Sequence, residues 1–449
     1  MKTGWKFCLA AVAITVLGSF WYVDRCSAYP TIYPTGTTIY NPQEAYNGYV
    51  LLPEESTDNN NPNARERVGK GDTKWGGELP GKPSSKVRLI DMNGNVVHTW
   101  DVTPAGNKRV RLLPNGNIIH VDREPAHRAV YEYNWEGKIV WEYKCPDGEL
   151  PHHDIRRLPN GNTLMLIENH MPAEYLQKVK DVDVPWWGQI KRSQAKMLGN
   201  VIREVTPDKK VVWEWKDYEN LDVNRFSPVN AVVDWSHGNT ISIIPENKWY
   251  DEGDQRFKPG NVLYNPRNLD EFYIIDRDTR KVVYSWTYRT EGGLSHCHEV
   301  EMIEKGLPGA GNIMLLDNGL FPRHRNRVGQ SLILEINPKS KEIVWKYLTV
   351  GYSNMKFSTK TRGSVKKLPN GNVFISEDNS GRVFQVKPMA DHPEGGEIVW
   401  EHISFSDVCR GGIYPYDFAP QLKALPKPKE LKVTPPNMKE WHLKPDVER

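Results

Sequence analysis

The chain has 449 residues, a formal net charge of +3 and 38% hydrophobic residues. A charge this close to neutral lacks the basic excess that would indicate a nucleic-acid-binding protein. The length would allow two or three ordinary domains, but the repeated motifs described below favour one large repeat domain.

The first 28 residues have the pattern of an export signal. Lys2 and Lys6 give a basic start, Phe7–Val23 is apolar, and Cys26–Ala28 ends in small residues before a predicted cut ahead of Tyr29. An uncleaved membrane anchor is the alternative, because the apolar run is near the lower length limit for spanning a bilayer. The pattern predicts a periplasmic or secreted protein with no membrane contact beyond the signal.

Three cysteines remain after removal of this segment: Cys145, Cys297 and Cys409. In an oxidising compartment they allow one disulfide and one free thiol, but their spacing does not say which two would pair.

A turn of Leu-Pro-Asn-Gly-Asn followed by an apolar run occurs at Leu113–Asn117, Leu158–Asn162 and Leu368–Asn372. Proline pre-sets one φ and Asn-Gly tolerates positive φ, so the motif predicts a tight turn. The apolar run after it predicts a buried strand. Looser copies are His237–Asn239, Leu307–Asn312 and Asn47–Gly48.

A second repeated element is an alternating strand, a turn and a strand with aromatic residues near its end. Its copies are Val87–Trp100, Val130–Tyr143, Val201–Trp215, Phe272–Trp286, Leu332–Tyr347 and Val383–His402. Six copies of each element predict an all-β fold, a six-bladed β-propeller with long inter-strand insertions. The predicted domains are the signal peptide at 1–28, an N-terminal extension at 29–45, the propeller at 46–416 and a Pro/Lys-rich C-terminal extension at 417–449.

The longest insertion between repeats is His170–Asn200, which contains a short helix candidate, Ala173–Lys180. Asn247–Asp270 is another, with Trp249 and Tyr250. Long loops of this kind are either lids or binding loops, or they pack on the edge of a blade.

One column of the repeat carries the candidate chemistry. Alignment on the Gly-Asn turn places Lys108, Asn230, His298 and the pair Arg362-Gly363 in the position of His153. Equivalent positions of all blades surround one axis, so these residues predict a polar ring at one end of the channel. His153 and His298 each precede a carboxylate residue, which could orient the imidazole. His152 and His296, taken singly, are more typical of capping or surface histidines.

Two further groups are expected near this ring. Asp317–Gly319, which includes Asn318, ends the strand after His298. Arg323, Arg325 and Arg327 follow, and arginines can bind an oxyanion through two hydrogen bonds. A solvated basic loop is an equally good interpretation of the arginines alone.

The segments HHDIRRLPNGNTLML, HEVEMIEKGLPGAGNIMLLDNG and GSVKKLPNGNVFISEDNSGRVFQV resemble bacterial arylsulfate sulfotransferases, and the resemblance extends from Tyr46 to Tyr416. It implies an exported six-bladed propeller that moves a sulfuryl group from a phenolic sulfate ester to another phenol. It also implies that the reaction needs no nucleotide donor or other cofactor. In that family a channel histidine attacks sulfur and carries the group as sulfohistidine, while other histidines and an arginine stabilise the charge.

Carried over by position, the resemblance implies the catalytic residues His298 as nucleophile, His153 as acid/base or oxyanion partner, and Arg323. Substrate-binding residues would be His152, His296, Lys108, Asn230, Asn318 and Arg362. The family commonly has a histidine before an Asn-Ser-Val-like segment, where the alignment gives Ser227-Pro228 before Asn230. The expected partners are a small-molecule aryl sulfate and a phenol, without metal or nucleic acid.

Two other functions stay open from the sequence. Histidines 152, 153, 296 and 298 with nearby carboxylates could supply mixed ligands to a metal, as in a hydrolase or lyase. The propeller could also be a non-catalytic module that binds a partner on its ring face.

Overall fold

A computed structural model of the protein describes residues 35–54, 85–102, 109–123, 126–184, 188–225, 232–287, 293–319, 330–349, 357–404 and 406–434. The predicted export signal, Lys108, Asn230 and the arginines 323, 325 and 327 lie outside these ranges.

The strands form six antiparallel sheets around one axis, and this confirms the predicted six-bladed propeller. Within each blade the strands are given from the channel outward. Blade 1 consists of β27 (Gly412–Tyr414), β2 (Tyr49–Pro53), β3 (Ser85–Ile90) and β4 (Val96–Val102). Blade 2 consists of β5 (Val110–Leu112), β6 (Ile118–Asp122), β7 (Ala129–Tyr133) and β8 (Ile139–Lys144). Blade 3 consists of β9 (Glu149–Arg157), β10 (Thr163–His170), β13 (Leu198–Val205) and β14 (Val211–Lys216).

Blade 4 consists of β15 (Gly238–Ile243), β16 (Val262–Pro266), β17 (Phe272–Ile275) and β18 (Val282–Trp286). Blade 5 consists of β19 (His298–Met302), β20 (Ile313–Asp317), β21 (Leu332–Ile336) and β22 (Ile343–Tyr347). Blade 6 consists of β23 (Ser364–Lys367), β24 (Val373–Glu377), β25 (Arg382–Pro388) and β26 (Gly396–Ile403), with β1 (Gly36–Tyr40) added at its outer edge.

Both ends of the described chain close the ring. The C-terminal strand β27 is the innermost strand of blade 1, whose other strands come from the start of the chain. The N-terminal strand β1 pairs with β26 of blade 6. Residues 36–40, assigned to an N-terminal extension from the sequence, are therefore a fifth strand of the last blade.

The Leu-Pro-Asn-Gly-Asn turns join the innermost strand to the second strand in blades 2, 3 and 6. Their glycines, Gly116, Gly161 and Gly371, have φ of 84°, 85° and 89°. This is the left-handed conformation that glycine adopts without steric cost, as the motif predicts.

The aromatic residues near the ends of the outermost strands connect neighbouring blades. In every blade a tryptophan of the fourth strand, counted from the channel, donates its indole N–H to a backbone carbonyl in the turn before the fourth strand of the next blade. The N–O distances range from 2.7 to 3.2 Å, for Trp100–Asn134, Trp141–Pro207, Trp213–Arg277, Trp286–Lys341, Trp345–Gly395 and Trp400–Met92. The repeated aromatic motif therefore produces a closed circle of six inter-blade hydrogen bonds.

The insertion at residues 170–200 lies within blade 3, between β10 and β13. It contains a helix at Ala173–Leu176, shorter than the predicted Ala173–Lys180, and a hairpin of β11 (Val182–Val184) and β12 (Gly188–Ile190). The other short α-helices are Asp217–Asn220, Lys248–Asp251 and Pro420–Lys423, and no described helix is long and apolar enough to cross a bilayer.

The cysteines Cys145, Cys297 and Cys409 are all buried, and no disulfide joins any two of them. The disulfide that the sequence allowed is therefore not formed among them.

Candidate histidine site at the channel rim

Blade 4 corrects the sequence alignment. Its innermost strand starts at Gly238, so His237 stands at the start of that strand, and the alignment that put Asn230 there is wrong by one strand. The cause is the missing Leu-Pro-Asn-Gly-Asn turn. In blade 4 a segment with a helix at Lys248–Asp251 joins the innermost strand to the second strand. The pair Gly238-Asn239 therefore begins the innermost strand, whereas the Gly-Asn pairs of blades 2, 3 and 6 stand just before the second strand.

The backbone is strained where the innermost strands begin, the end of the channel called the rim below. Non-glycine residues with positive φ occur there in blades 3, 4, 5, 6 and 1. They are His153 (25°), which lies within β9, and His237 (48°), His296 (62°), Glu299 (48°), Arg362 (63°) and Arg410 (55°). Strain of this kind persists only where the surroundings enforce it, and it concentrates at functional sites. The rim is therefore the candidate site.

Three imidazoles from two blades meet at the rim and form the histidine cluster, His152, His153 and His237. Ring centroids lie 4.1 Å apart for His152 and His153, 4.7 Å for His153 and His237, and 5.0 Å for His152 and His237. Nε2 of His153 is 2.9 Å from Nε2 of His237. Nδ1 of His237 is 2.5 Å from Oδ2 of Asp234. The sequence predicted His152 and His153 here but missed His237 and Asp234.

The hydrogen bonds of Asn200 fix the protonation of His152. Oδ1 of Asn200 accepts from the N–H of Gly238 at 2.6 Å, and Nδ2 of Asn200 donates to the carbonyl of Ile167 at 3.2 Å. Its Nδ2 therefore faces Nδ1 of His152, at 3.0 Å, and donates to it. Neutral His152 thus carries its hydrogen on Nε2. That buried N–H has no well-aligned acceptor among the described residues, although Oε2 of Glu168 lies 3.2 Å away.

Asn318 orients His298 in the opposite sense. Nδ2 of Asn318 donates to the carbonyls of Thr359 and Arg362 at 2.7 and 2.8 Å, so its Oδ1 faces Nδ1 of His298 at 2.6 Å. The carbonyl of His296 lies 3.0 Å from the same nitrogen. Nδ1 of His298 is therefore the N–H, and Nε2 carries a lone pair that accepts weakly from the N–H of Arg362 at 3.2 Å.

The electrostatic environment keeps these imidazoles neutral. Burial, together with nearby cations that include Arg410, lowers the pKa of His152, His153 and His298 well below the usual value. Burial and Arg267 lower the pKa of His237 to about 4, against the opposing effect of Asp234. At neutral pH the site therefore presents uncharged rings, whose lone pairs are available for reaction.

Arg410 is a further residue that the sequence reasoning missed. Its side chain is only 2% exposed, and its Nη2 donates at 2.8 Å to the carbonyl of Asn239 on the opposite side of the ring. The pair Arg410-Gly411 stands just before its strand, as Arg362-Gly363 does in blade 6. This shared Arg-Gly sequence could have identified Arg410. It places a buried positive charge at the rim.

The acids that follow the two predicted histidines do not orient them. Asp154 accepts from Arg111 at 2.9 Å, and Glu299 pairs with Arg109 from blade 2. With the ion pair between Arg156 and Glu301, these residues form a layer of charges across the channel beside a cavity of about 100 Å³. Neither His153 nor His298 contacts the acid that follows it, because side chains alternate along a strand and these acids point into the channel.

The structure groups the predicted site residues around two centres. His152 and His153 lie in the histidine cluster, whereas His298, Asn318, the backbone of Arg362 and the carbonyl of His296 lie together in one network. His237 and Arg410 contribute to the electrostatic environment of His298, which ties the two centres to one end of the channel. Lys108, Asn230 and Arg323 stay predictions, since they lie outside the described residues.

A metal ion is the alternative occupant of the histidine cluster. One nitrogen from each of the three imidazoles lies within 4.8 Å of the others, so a common ion could reach all three. A ligand nitrogen must offer a lone pair. The hydrogen bonds of Asn200 place a hydrogen on Nε2 of His152, and turning the amide would set its NH₂ against the N–H of Gly238. This arrangement opposes a three-histidine metal site.

Comparison with known proteins supports the predicted family. Residues 78–250 match the family model described as Arylsulfotransferase (ASST), a range that includes all three residues of the histidine cluster. The match agrees with the suspected family, and with the predicted class of enzyme, a sulfotransferase, over this range, which is less than half of the chain. No curated protein matches the chain significantly.

Among solved structures, a protein of unknown function from Bacteroides caccae is 14% identical, with a TM-score of 0.46, over 81% of this chain and 98% of the other. A streptogramin B lyase is 12% identical, with a TM-score of 0.39, over 74% and 82%. The Dos1 propeller is 10% identical, with a TM-score of 0.36, over 82% and 74%. These similarities carry no functional inference.

Proposed function

We propose that this chain, whose residues 78–250 match the arylsulfotransferase family, is an exported enzyme that moves a sulfuryl group between phenols through His298. The donor is a phenolic sulfate ester, and no nucleotide donor takes part. The observation that carries the proposal is the fixed protonation of His298. Asn318 and the carbonyl of His296 hold its Nδ1–H, so Nε2 offers a lone pair at neutral pH.

In the first half-reaction Nε2 of His298 attacks sulfur. The N–S bond forms, and the S–O bond to the donor breaks with its electron pair leaving on the phenolate oxygen. The positive charge that develops on the ring is stabilised by the oxygens of Asn318 and His296 that face Nδ1–H. A neutral, oriented imidazole is a good nucleophile, as this step requires.

Charge on the sulfuryl oxygens needs donors that are in place before the reaction. The buried Nε2–H of His152 and the guanidinium of Arg410 supply them at the rim. The N–H of Arg362, which donates weakly to Nε2 of His298 before attack, is released when the N–S bond forms.

In the second half-reaction the acceptor phenol attacks the sulfur of the sulfohistidine. The new O–S bond forms, the N–S bond breaks, and its electron pair returns to Nε2 of His298. His153, the most exposed of the buried histidines 152, 153, 296 and 298 at 6%, accepts the phenolic proton.

The experiment is an intact-mass measurement after the protein is mixed with 4-nitrophenyl sulfate and no acceptor. We expect a gain of one sulfuryl group that disappears when a phenol is added. His298→Ala should abolish the gain, whereas His392→Ala, in a turn of blade 6, should retain it. A gain that persists in His298→Ala would exclude His298 as the nucleophile, and a stoichiometric metal lost together with activity on chelation would favour the hydrolase or lyase.

Export is part of the proposal and is supported by the basic start, apolar run and small residues of positions 1–28. N-terminal sequencing of the protein recovered from a periplasmic or culture fraction should find Tyr29 first. An intact N-terminus in the cytoplasmic fraction would contradict export without affecting the chemistry.

A further inference from the structure

A chain of three side chains joins blade 4 to blade 3 at the rim. Oδ2 of Asp234 lies 2.5 Å from Nδ1 of His237, and Nε2 of His237 lies 2.9 Å from Nε2 of His153. All three groups are largely buried. Neither His237 nor Asp234 has a place in the steps derived above.

The contacts determine where the hydrogens lie. Because a carboxylate faces Nδ1 of His237, that nitrogen carries the hydrogen and Nε2 offers a lone pair. The opposing nitrogen of His153 must then be an N–H that donates to it. Neutral His153 consequently has its free lone pair on Nδ1, the nitrogen that is not used by His237.

The charges around His237 act in both directions on a proton that it receives: Asp234 favours the proton, and nearby arginines oppose it. Burial raises the pKa of the Asp234 carboxyl, but His237 and Arg267 outweigh this effect and keep the pKa below its usual value. The ionised Asp234 is the direct partner of His237. Arg267 and Arg123 are the cations that oppose protonation, and Arg123 is itself held by Glu168 at 3.1 Å.

We propose that Asp234, His237 and His153 form a proton relay, with His237 as the group that holds the proton and Asp234 as its positioning residue. The inference rests on the proposed sulfuryl transfer. When the acceptor phenol attacks, its proton passes to Nδ1 of His153, and the hydrogen on Nε2 of His153 passes to Nε2 of His237. His237 becomes an imidazolium paired with Asp234, and the proton later returns by the same path to protonate the next leaving phenolate.

The backbone supports a functional role for the relay. His153 and His237 both have positive φ, and β9 has a register shift opposite Met165 and Leu166, beside His153. These irregularities aim two imidazoles from different blades at each other. Asp122 and His127 form another Asp–His pair, at 2.9 Å in blade 2, and neither of these two residues has a positive φ.

The test separates the two half-reactions. 4-Nitrophenolate leaves without a proton, so Asp234→Asn should form the sulfo-enzyme from 4-nitrophenyl sulfate within about threefold of the wild-type rate. Transfer from the sulfo-enzyme to phenol should slow on the order of 100-fold, since that step needs the base. Asp234→Glu should restore part of the loss. Asp122→Asn, which breaks the matched pair outside the site, should leave both steps within about twofold of wild type.

Equal slowing of both half-reactions in Asp234→Asn, or of neither, would overturn the relay. If the wild-type protein forms no sulfo-enzyme, the proposed function fails, and ¹⁵N NMR of the histidines in the resting protein then decides the relay. We expect a hydrogen on Nδ1 of His237, and a pKa for that ring that falls in Asp234→Asn. A hydrogen on Nε2 of His237, or an unchanged pKa, would exclude the relay whatever the enzyme does.

Discussion

At the scale of single residues, two asparagines give two histidines opposite chemistry. Asn200 turns its NH₂ toward His152, which leaves that ring with an N–H to offer a ligand. Asn318 turns its oxygen toward His298, which leaves that ring with a lone pair. In each case backbone groups on the far side of the amide decide which end faces the imidazole. One ring thus becomes a donor and the other a nucleophile.

Replacing Asn318 should therefore slow the first half-reaction more than it weakens substrate binding. In Asn318→Leu the Nδ1–H of His298 loses its main acceptor, and the imidazolium that forms on attack is less stabilised. We expect the single-turnover rate of sulfo-enzyme formation to fall on the order of tenfold to 100-fold, as loss of a stabilising hydrogen bond predicts. The dissociation constant of the sulfate ester should change little. A loss confined to binding would show that Asn318 only shapes the pocket.

Much of this site could be predicted from the sequence, because a repeat tells which positions share an end of the channel. That reasoning found His153, His298, Asn318 and Arg362. It missed Asp234, His237 and Asn200, since their roles depend on contacts between segments that no repeated motif aligns. Arg410 was missed because its strand closes the ring from the far end of the chain.

At the scale of elements, the tryptophans show why the outermost strands repeat. Each indole crosses to a carbonyl of the following blade, so the motif specifies the contact between sheets as well as the strand itself. The sequence predicted the strands from their alternation but could not predict this bond, because the acceptor belongs to another repeat. The same limit explains the error in blade 4, where the turn that marks the register is absent.

The contribution of each tryptophan hydrogen bond to the free energy of unfolding should depend on how deeply the tryptophan is buried. Trp400 is fully buried at the seam between blades 6 and 1, so Trp400→Phe leaves the Met92 carbonyl without its donor. We expect the free energy of unfolding to fall by about 2–3 kcal/mol, from the unsatisfied group and the lost volume. Trp141→Phe removes the same bond at the more exposed seam between blades 2 and 3, and should cost less. Equal losses in urea unfolding would refute this assignment.

At the scale of the whole molecule, the interior holds many groups that burial keeps uncharged. The pKa is lowered for five buried histidines: His152, His153, His237, His298 and His402. Burial raises the pKa of Asp217 and Asp378 to about 6. These two carboxyls therefore change the free energy of unfolding in the opposite direction to the histidines over the same pH range. Burial also raises the pKa of Glu54, Glu168 and Glu377. All five histidines stay neutral well below their usual pKa, whereas only Asp217 and Asp378 reach a pKa of about 6, so the histidines set the sign.

The folded protein should consequently lose stability as the pH falls below about 6.5. Each of these histidines binds a proton in the unfolded chain near that pH but stays neutral in the fold until the pH is much lower, near 4 for His237 and His402. The unfolded state therefore gains up to about 1.4 kcal/mol per pH unit for each such group, less the opposing contribution of the buried carboxyls. Urea unfolding at pH 7.5 and at pH 5 measures the difference. Equal stability at the two pH values would mean that the imidazoles are not held neutral.

The hydrogen bonds between Tyr40 and Val433, at 2.8 and 2.9 Å, make the two ends of the described fold immediate neighbours. The finished ring therefore does not depend on which blade comes first in the chain. A circular permutant, with residues 35 and 434 joined by a short linker and new ends placed in the exposed turn Thr206–Lys210, would have the same six sheets and the same histidine cluster.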